Sequence, residues 1–108
     1  MLKQDFKDWM KDKSKNPKLH DGSAEAYIMY LNGLFVMLQE NDFISYNAWS
    51  ELDKAYMTNY KMINDIIQDI YNAIDAAEKS SKDLKLGMKN FKSTFNKLNK
   101  YIEYIQTL

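Results

Sequence analysis

Three glycines (Gly22, Gly33 and Gly87) and one proline (Pro17) are all that punctuate a chain of 108 residues. A β-sandwich or barrel turns sharply every 8–12 residues or so, and each tight turn draws on a residue that accepts positive φ or presets it. This sequence has too few such residues for that plan. Helices, which need breaks only between long segments, are the fold it can sustain.

The apolar spacing agrees. Leu2, Phe6, Trp9 and Met10 share one face of a short first helix, with lysines and aspartates between them. The stretch 14–22, with Asn16, Pro17, Asp21 and Gly22, is turn-rich, and Ser23 then stands as an expected N-cap with Glu25 in the first turn. The second helix carries Tyr27, Ile28, Leu31, Leu34, Phe35 and Leu38, while Met29, Tyr30, Val36 and Met37 widen the stripe well beyond one side. A helix apolar nearly all round is expected at the centre of a bundle. Asn47 or Ser45 is the expected cap of a short helix with Trp49, Leu52 and Tyr56. From Met57, the spacing of Tyr60, Ile63, Ile66, Ile67, Ile70, Ile74 and Ala77 is helical despite the β-branched isoleucines. After a polar break with Ser80 and Ser81 as caps, Met88, Phe91, Phe95, Leu98, Ile102 and Ile105 alternate spacings of three and four. The expectation is one all-α domain over 1–108, a compact bundle of four to five helices with Trp9, Leu31, Phe35, Ile66, Ile70, Phe91, Phe95 and Ile102 in a single core. Tyr30, Tyr46 and Tyr104 fall off the main stripes and are expected to be more exposed.

Several chemistries are excluded or disfavoured by composition. There is no cysteine, which removes disulfides, thiolate metal sites and cysteine nucleophiles. No apolar run approaches the roughly 20 residues of a membrane span, and Met1 leads into Lys3, Asp5, Lys7 and Asp8 without a signal-peptide core, so a cytoplasmic protein without a membrane partner is expected. The one histidine, His20, lies in the turn-rich link with no visible partner set. Asp65 and Asp69 are one helical turn apart, with Asp75 and Glu78 beyond, but a di-metal bundle usually adds Glu-x-x-His pairs, which are missing here. That stretch is read as a solvated acidic face. With no phosphate-binding glycine loop and no nucleophile elbow, the chain is expected to be no enzyme and to carry no cofactor and no metal.

The equality of 15 lysines with 15 acids hides a polarised chain. Residues 1–20 hold six lysines against three aspartates; residues 21–78 hold ten acids against Lys54 and Lys61; residues 79–100 hold seven lysines against Asp83. At 100° per residue, Lys85, Lys89, Lys92, Asn96 and Lys100 form a stripe on the last helix away from its apolar seam, with Lys97 beside it. Cations along such a stripe suit a phosphate backbone, and Asn90, Asn96 or Asn99 suits a base edge.

In order of features the chain resembles the SAM-like core-binding domain on the N-terminal side of tyrosine recombinases (phage integrases), and the related helical modules of some bacterial endonucleases. Phe6-Lys7-Asp8-Trp9-Met10 is similar to the opening aromatic-x-x-Trp-Leu helix of that family, and Ser23, Tyr27, Leu31 and Leu34 to its Ser-x-x-x-Tyr-x-x-x-Leu helix. Asn90 through Leu98, running on to Tyr101-Ile102 and Tyr104-Ile105, is similar to its closing helix. The resemblance implies a module that clamps duplex DNA, without the catalytic domain that performs strand transfer. The leading expectation is therefore a non-catalytic DNA-binding domain contacting duplex DNA through Lys85, Lys89, Lys92, Asn96, Lys97 and Lys100, helped by the N-terminal lysines. The alternative is a small protein–protein interaction module, as a phage-encoded inhibitor, adaptor or antitoxin is, using its aromatic and charge-polarised surface.

Overall fold

The computed structural model describes residues 1–20, 22–80 and 88–108, and of Met88 and Lys89 the backbone alone. Among these residues it is entirely helical: α1 (Leu2–Lys11), α2 (Ser23–Glu40), α3 (Ala48–Ala55), α4 (Tyr60–Glu78) and α5 (Met88–Gln106). No helix of the described residues is long and apolar enough to cross a membrane.

The helix ends follow capping chemistry, with shifts from expectation that have local causes. Asn47 caps α3 by accepting from the Ser50 amide at 3.0 Å. Asn59 does the same for α4 through the Met62 amide, also at 3.0 Å, so this helix starts three residues after Met57, which itself sits at φ +64° in the linking turn. Ser23 is not the cap of α2. Gly22, at φ +87°, occupies that position and Ser23 is the first helical residue, because the left-handed backbone that turns the chain into α2 is one only glycine adopts without strain. The first turn of α1 is served from elsewhere: Asp53 of α3 accepts the Leu2 amide at 2.9 Å, satisfying an N-terminal donor with a carboxylate that also complements the helix dipole. Ser81, the other expected cap before α5, lies outside the described residues.

The Cα envelope measures 42 × 31 × 17 Å. With helices packing 8–10 Å apart, the short dimension holds two layers. α5 packs on α1, α2 and α4, and α3 packs on α1 and α4. One core joins all five helices, and Leu31, Phe35, Ile66, Ile70, Phe91, Phe95 and Ile102 are all buried in it, with Trp9 partly buried against its edge. The expectation that α2 is enclosed fails. Its inner residues Leu31, Leu34, Phe35 and Leu38 are buried, yet Met29 is 62% and Val36 53% exposed, with Tyr30 and Gly33 exposed beside them. In a slab two layers thick a helix always has one side without a neighbour, whatever its sequence. Gly33 within this helix costs about 1 kcal/mol relative to alanine.

Candidate nucleic-acid interface

The site begins in the turn after α1. Asp12 accepts from the backbone and side chain of Ser14 at 2.9 and 2.7 Å, an Asx turn that starts the reversal and, reinforced by Lys15, holds the Asp12 carboxyl below its usual range. Asn16, whose amide bonds the Asp12 carbonyl at 2.8 Å, is buried at 7% exposure and uses both ends of its side chain. Its Nδ2 donates to the Trp9 carbonyl at 2.8 Å, and its Oδ1 accepts from Lys97 Nζ at 2.6 Å. A residue of the first basic segment is thereby tied to one of the second across 81 positions of sequence.

Aromatic rings form the floor beneath this junction. Trp9 lies 5.3 Å from Tyr101 and 5.9 Å from Tyr104, while Phe6 lies 5.8 Å from Tyr101. Lys97 Nζ stands 5.0 Å over the Trp9 ring and Lys15 Nζ 5.5 Å over Tyr104. Such cation–π contacts fix the direction of otherwise mobile side chains. Behind the rings, Tyr56 donates to Asp5 at 2.9 Å and shares a 2.6 Å hydrogen bond with Tyr101, so Tyr101 is the donor in that pair. Burial, with these bonds, pushes the Tyr56 phenol far above its ordinary value.

The turn and α5 enclose a shallow cleft of about 300 Å³ lined by Lys15, Asn16, Pro17, Lys18, Leu19 and Lys97. Burial, and then the charge of neighbouring Lys100, hold the Lys97 ammonium below the ordinary lysine range. Lys15, Lys18 and Lys100 are exposed and have no ion pair among the described residues. By contrast, Lys7 and Lys11 meet Glu25 at 3.7 and 2.5 Å, Lys54 meets Glu51, and Lys61 meets Asp65.

The expected stripe on the last helix is divided. Lys92 bonds Asp75 of α4 at 3.2 Å, and that bond, with the charges of Asp75 and Glu78, raises its pKa. Asn96 accepts from Tyr71 of α4 at 2.7 Å. Further along the same edge, Gln106 donates to Asn64 at 2.8 Å and Tyr60 to the Ile105 carbonyl at 3.3 Å. Lys97 faces the opposite way, into the cleft, and Lys100 stays exposed. Lys85 lies outside the described residues, as does the side chain of Lys89. Lys15, Lys18 and Asn16 are the site residues that periodicity missed. The six lysines of residues 1–20 were the available signal, since charge count survives where helical spacing does not apply.

The other candidates do not assemble. His20 is exposed, Asp65 is engaged with Lys61 and Asp75 with Lys92, and among the described residues no three His, Asp or Glu side chains converge as a metal site would need. Asp69 instead borders a cleft of about 430 Å³ with Asp42, Phe43 and Tyr46. No protein-family profile, no curated protein and no solved structure matches the chain.

Proposed function

We propose that this chain is a non-catalytic DNA-binding helical domain, in the manner of an integrase core-binding module, that docks on the phosphates of duplex DNA through Lys15, Lys18, Lys97 and Lys100. The observation that carries the reading is the Lys97–Asn16 hydrogen bond, which ties Lys97 of the C-terminal lysine cluster to the N-terminal turn, where Lys15 and Lys18 line the same cleft. Cations outside ion pairs are free to displace condensed counterions, which is where non-specific DNA affinity comes from. A chain without arginine lacks the commonest base-specific contact, so backbone positioning dominates over base readout. Lys92 and Asn96 serve the α4–α5 contact in this reading.

Fluorescence anisotropy on a labelled duplex across a salt series tests it. Four phosphate contacts give a slope of log K against log salt near about −3.6, and Lys15→Ala, Lys18→Ala and Lys100→Ala should each shallow it by about 0.9. Lys92→Ala should leave it unchanged, and Lys85→Ala and Lys89→Ala report whether the patch extends to the start of α5. No affinity tighter than about 0.1 mM at low salt, or a slope indifferent to Lys15, Lys18 and Lys100, removes DNA as the ligand. The protein-docking alternative then leads, with the Asp42–Asp69 cleft and its Phe43 and Tyr46 rings as a receptor for a basic segment.

A further inference from the structure

The outer side of α2 is a feature the DNA reading leaves unused. From Ala26 to Gln39 the helix carries no charge, and Met29, Gly33 and Val36, with Tyr30 alongside, follow the four-then-three spacing of a helix-packing seam on its exposed side. The fold itself does not require glycine at its midpoint. A Cβ on Gly33 would meet only the Phe91 ring at 3.9 Å, an ordinary contact, and Gly33 is not at positive φ. A helix-destabilising residue that internal packing does not need, at the centre of an exposed apolar ridge, suits the close approach of another backbone.

Charge identifies the occupant. The N-terminal end of this face bears Lys7 and Lys11 around Glu25, together with the positive end of the helix dipole. The C-terminal end bears Glu40 and Asp42, which have no ion pair among the described residues. A copy of α2 laid antiparallel on the first sets each basic end against the other's acidic end, whereas a parallel copy sets Glu40 against Glu40. We infer that α2 is the interface between two copies of this chain, antiparallel about a twofold axis through Gly33, with Met29 and Tyr30 of each copy packing near Val36 of the other. Such an interface is isologous, so one self-complementary face suffices. An 18-residue helix is about 27 Å long, which is small for a permanent dimer, and the association is reversible and concentration-dependent.

Sedimentation velocity over a dilution series up to about 1 mM should show the mass rising from 12.8 kDa toward twice that value. Met29→Lys and Val36→Glu, at exposed positions, should each weaken dimerisation by about tenfold or more while leaving the circular-dichroism melt of the monomer in place. Because the chain has no cysteine, Gly33→Cys introduces a single thiol at the twofold axis and should cross-link under mild oxidation. Ala26→Cys should not, since its two copies stand about 21 Å apart in the antiparallel register. A wild-type chain that stays monomeric throughout, a dimer untouched by both charged variants, or cross-linking through position 26 as fast as through 33 would overturn the inference. DNA affinity is read separately through Lys18 and Lys100, so neither proposal's failure counts against the other.

Discussion

The two long edges of α5 both carry lysine, and they arrive at opposite electrostatics. On the edge toward α4, Lys92 and Asn96 meet Asp75 and Tyr71, and the charge is cancelled within a ladder of polar contacts. On the edge toward the 12–19 turn, Lys97 meets a neutral amide and an aromatic ring, and the nearest added charges are further lysines. The same residue type on one helix is thus neutralised on one side and concentrates positive potential on the other. Which role a lysine takes is set by the partner element and not by its place in the stripe. Surface charge segregates because only one edge has an acidic helix beside it.

Both edges depend on the core between them, so the largest effect comes from removing it. Phe95 is fully buried, 4.8 Å from Tyr71 and 6.0 Å from Phe35. Phe95→Ala should cost about 3–5 kcal/mol in urea unfolding, a large part of a typical 5–15 kcal/mol stability. An unchanged midpoint would show that α5 does not pack as described.

Asn16→Leu separates the edges. It leaves Lys97 Nζ without its hydrogen-bond acceptor and the Trp9 carbonyl with the Asp12 amide alone, and should cost about 1–3 kcal/mol, with DNA affinity falling beyond what stability explains as the turn lysines lose their register. The polar ladder toward α4 should be untouched, which the chemical shifts of Tyr71 and Asn96 would report.

Tyr56→Phe should cost about 1 kcal/mol at neutral pH and change the response to alkali. The phenols of Tyr46, Tyr56, Tyr71 and Tyr101 are all raised by burial above the ordinary 10.0. A raised folded-state value means the unfolded chain releases its protons first, so the stabilisation is complete below pH 10 and is lost as pH climbs above it. Lys97, held low, acts in the other direction, while Lys92, raised by its bond to Asp75, acts with the phenols. Denaturation midpoints should therefore fall above pH 10, less steeply in Tyr56→Phe than in wild type.

The smallest effect belongs to the ion pair that looks most prominent. Lys92 and Asp75 keep 43% and 50% of their side chains exposed, and Lys92→Ala should move the melting temperature by about 2 °C or less. A larger shift would make the α4 edge a structural device comparable to the Asn16 junction and would erase the contrast between the two.

Much of the fold was legible from spacing. Phe91, Phe95, Leu98, Ile102 and Ile105 are all buried, as their three-and-four alternation requires, and Asn47 caps the helix it precedes. Spacing failed where it has nothing to measure. It placed Lys85, Lys89, Lys92, Asn96 and Lys100 on one side of a cylinder, which is correct for a lone helix and silent about which arcs the neighbours cover. It was equally silent about the 14–22 turn, where Asn16 reaches a partner that no helical period relates to it.

The sequence by itself determined that the fold is helical, where its segments begin and end to within a few residues, and which residues form the main apolar seam of each, because hydrophobic period and capping are local properties of neighbouring residues. It also determined that charge is polarised along the chain. Tertiary structure alone decided how that charge is arranged in space: that the turn lysines join Lys97 and Lys100, that Lys92 is neutralised by Asp75, and that an apolar side of α2 is left facing outward. These outcomes depend on the order in which five helices stack into two layers, and that order is fixed by the sum of many weak packing contacts between residues far apart in sequence.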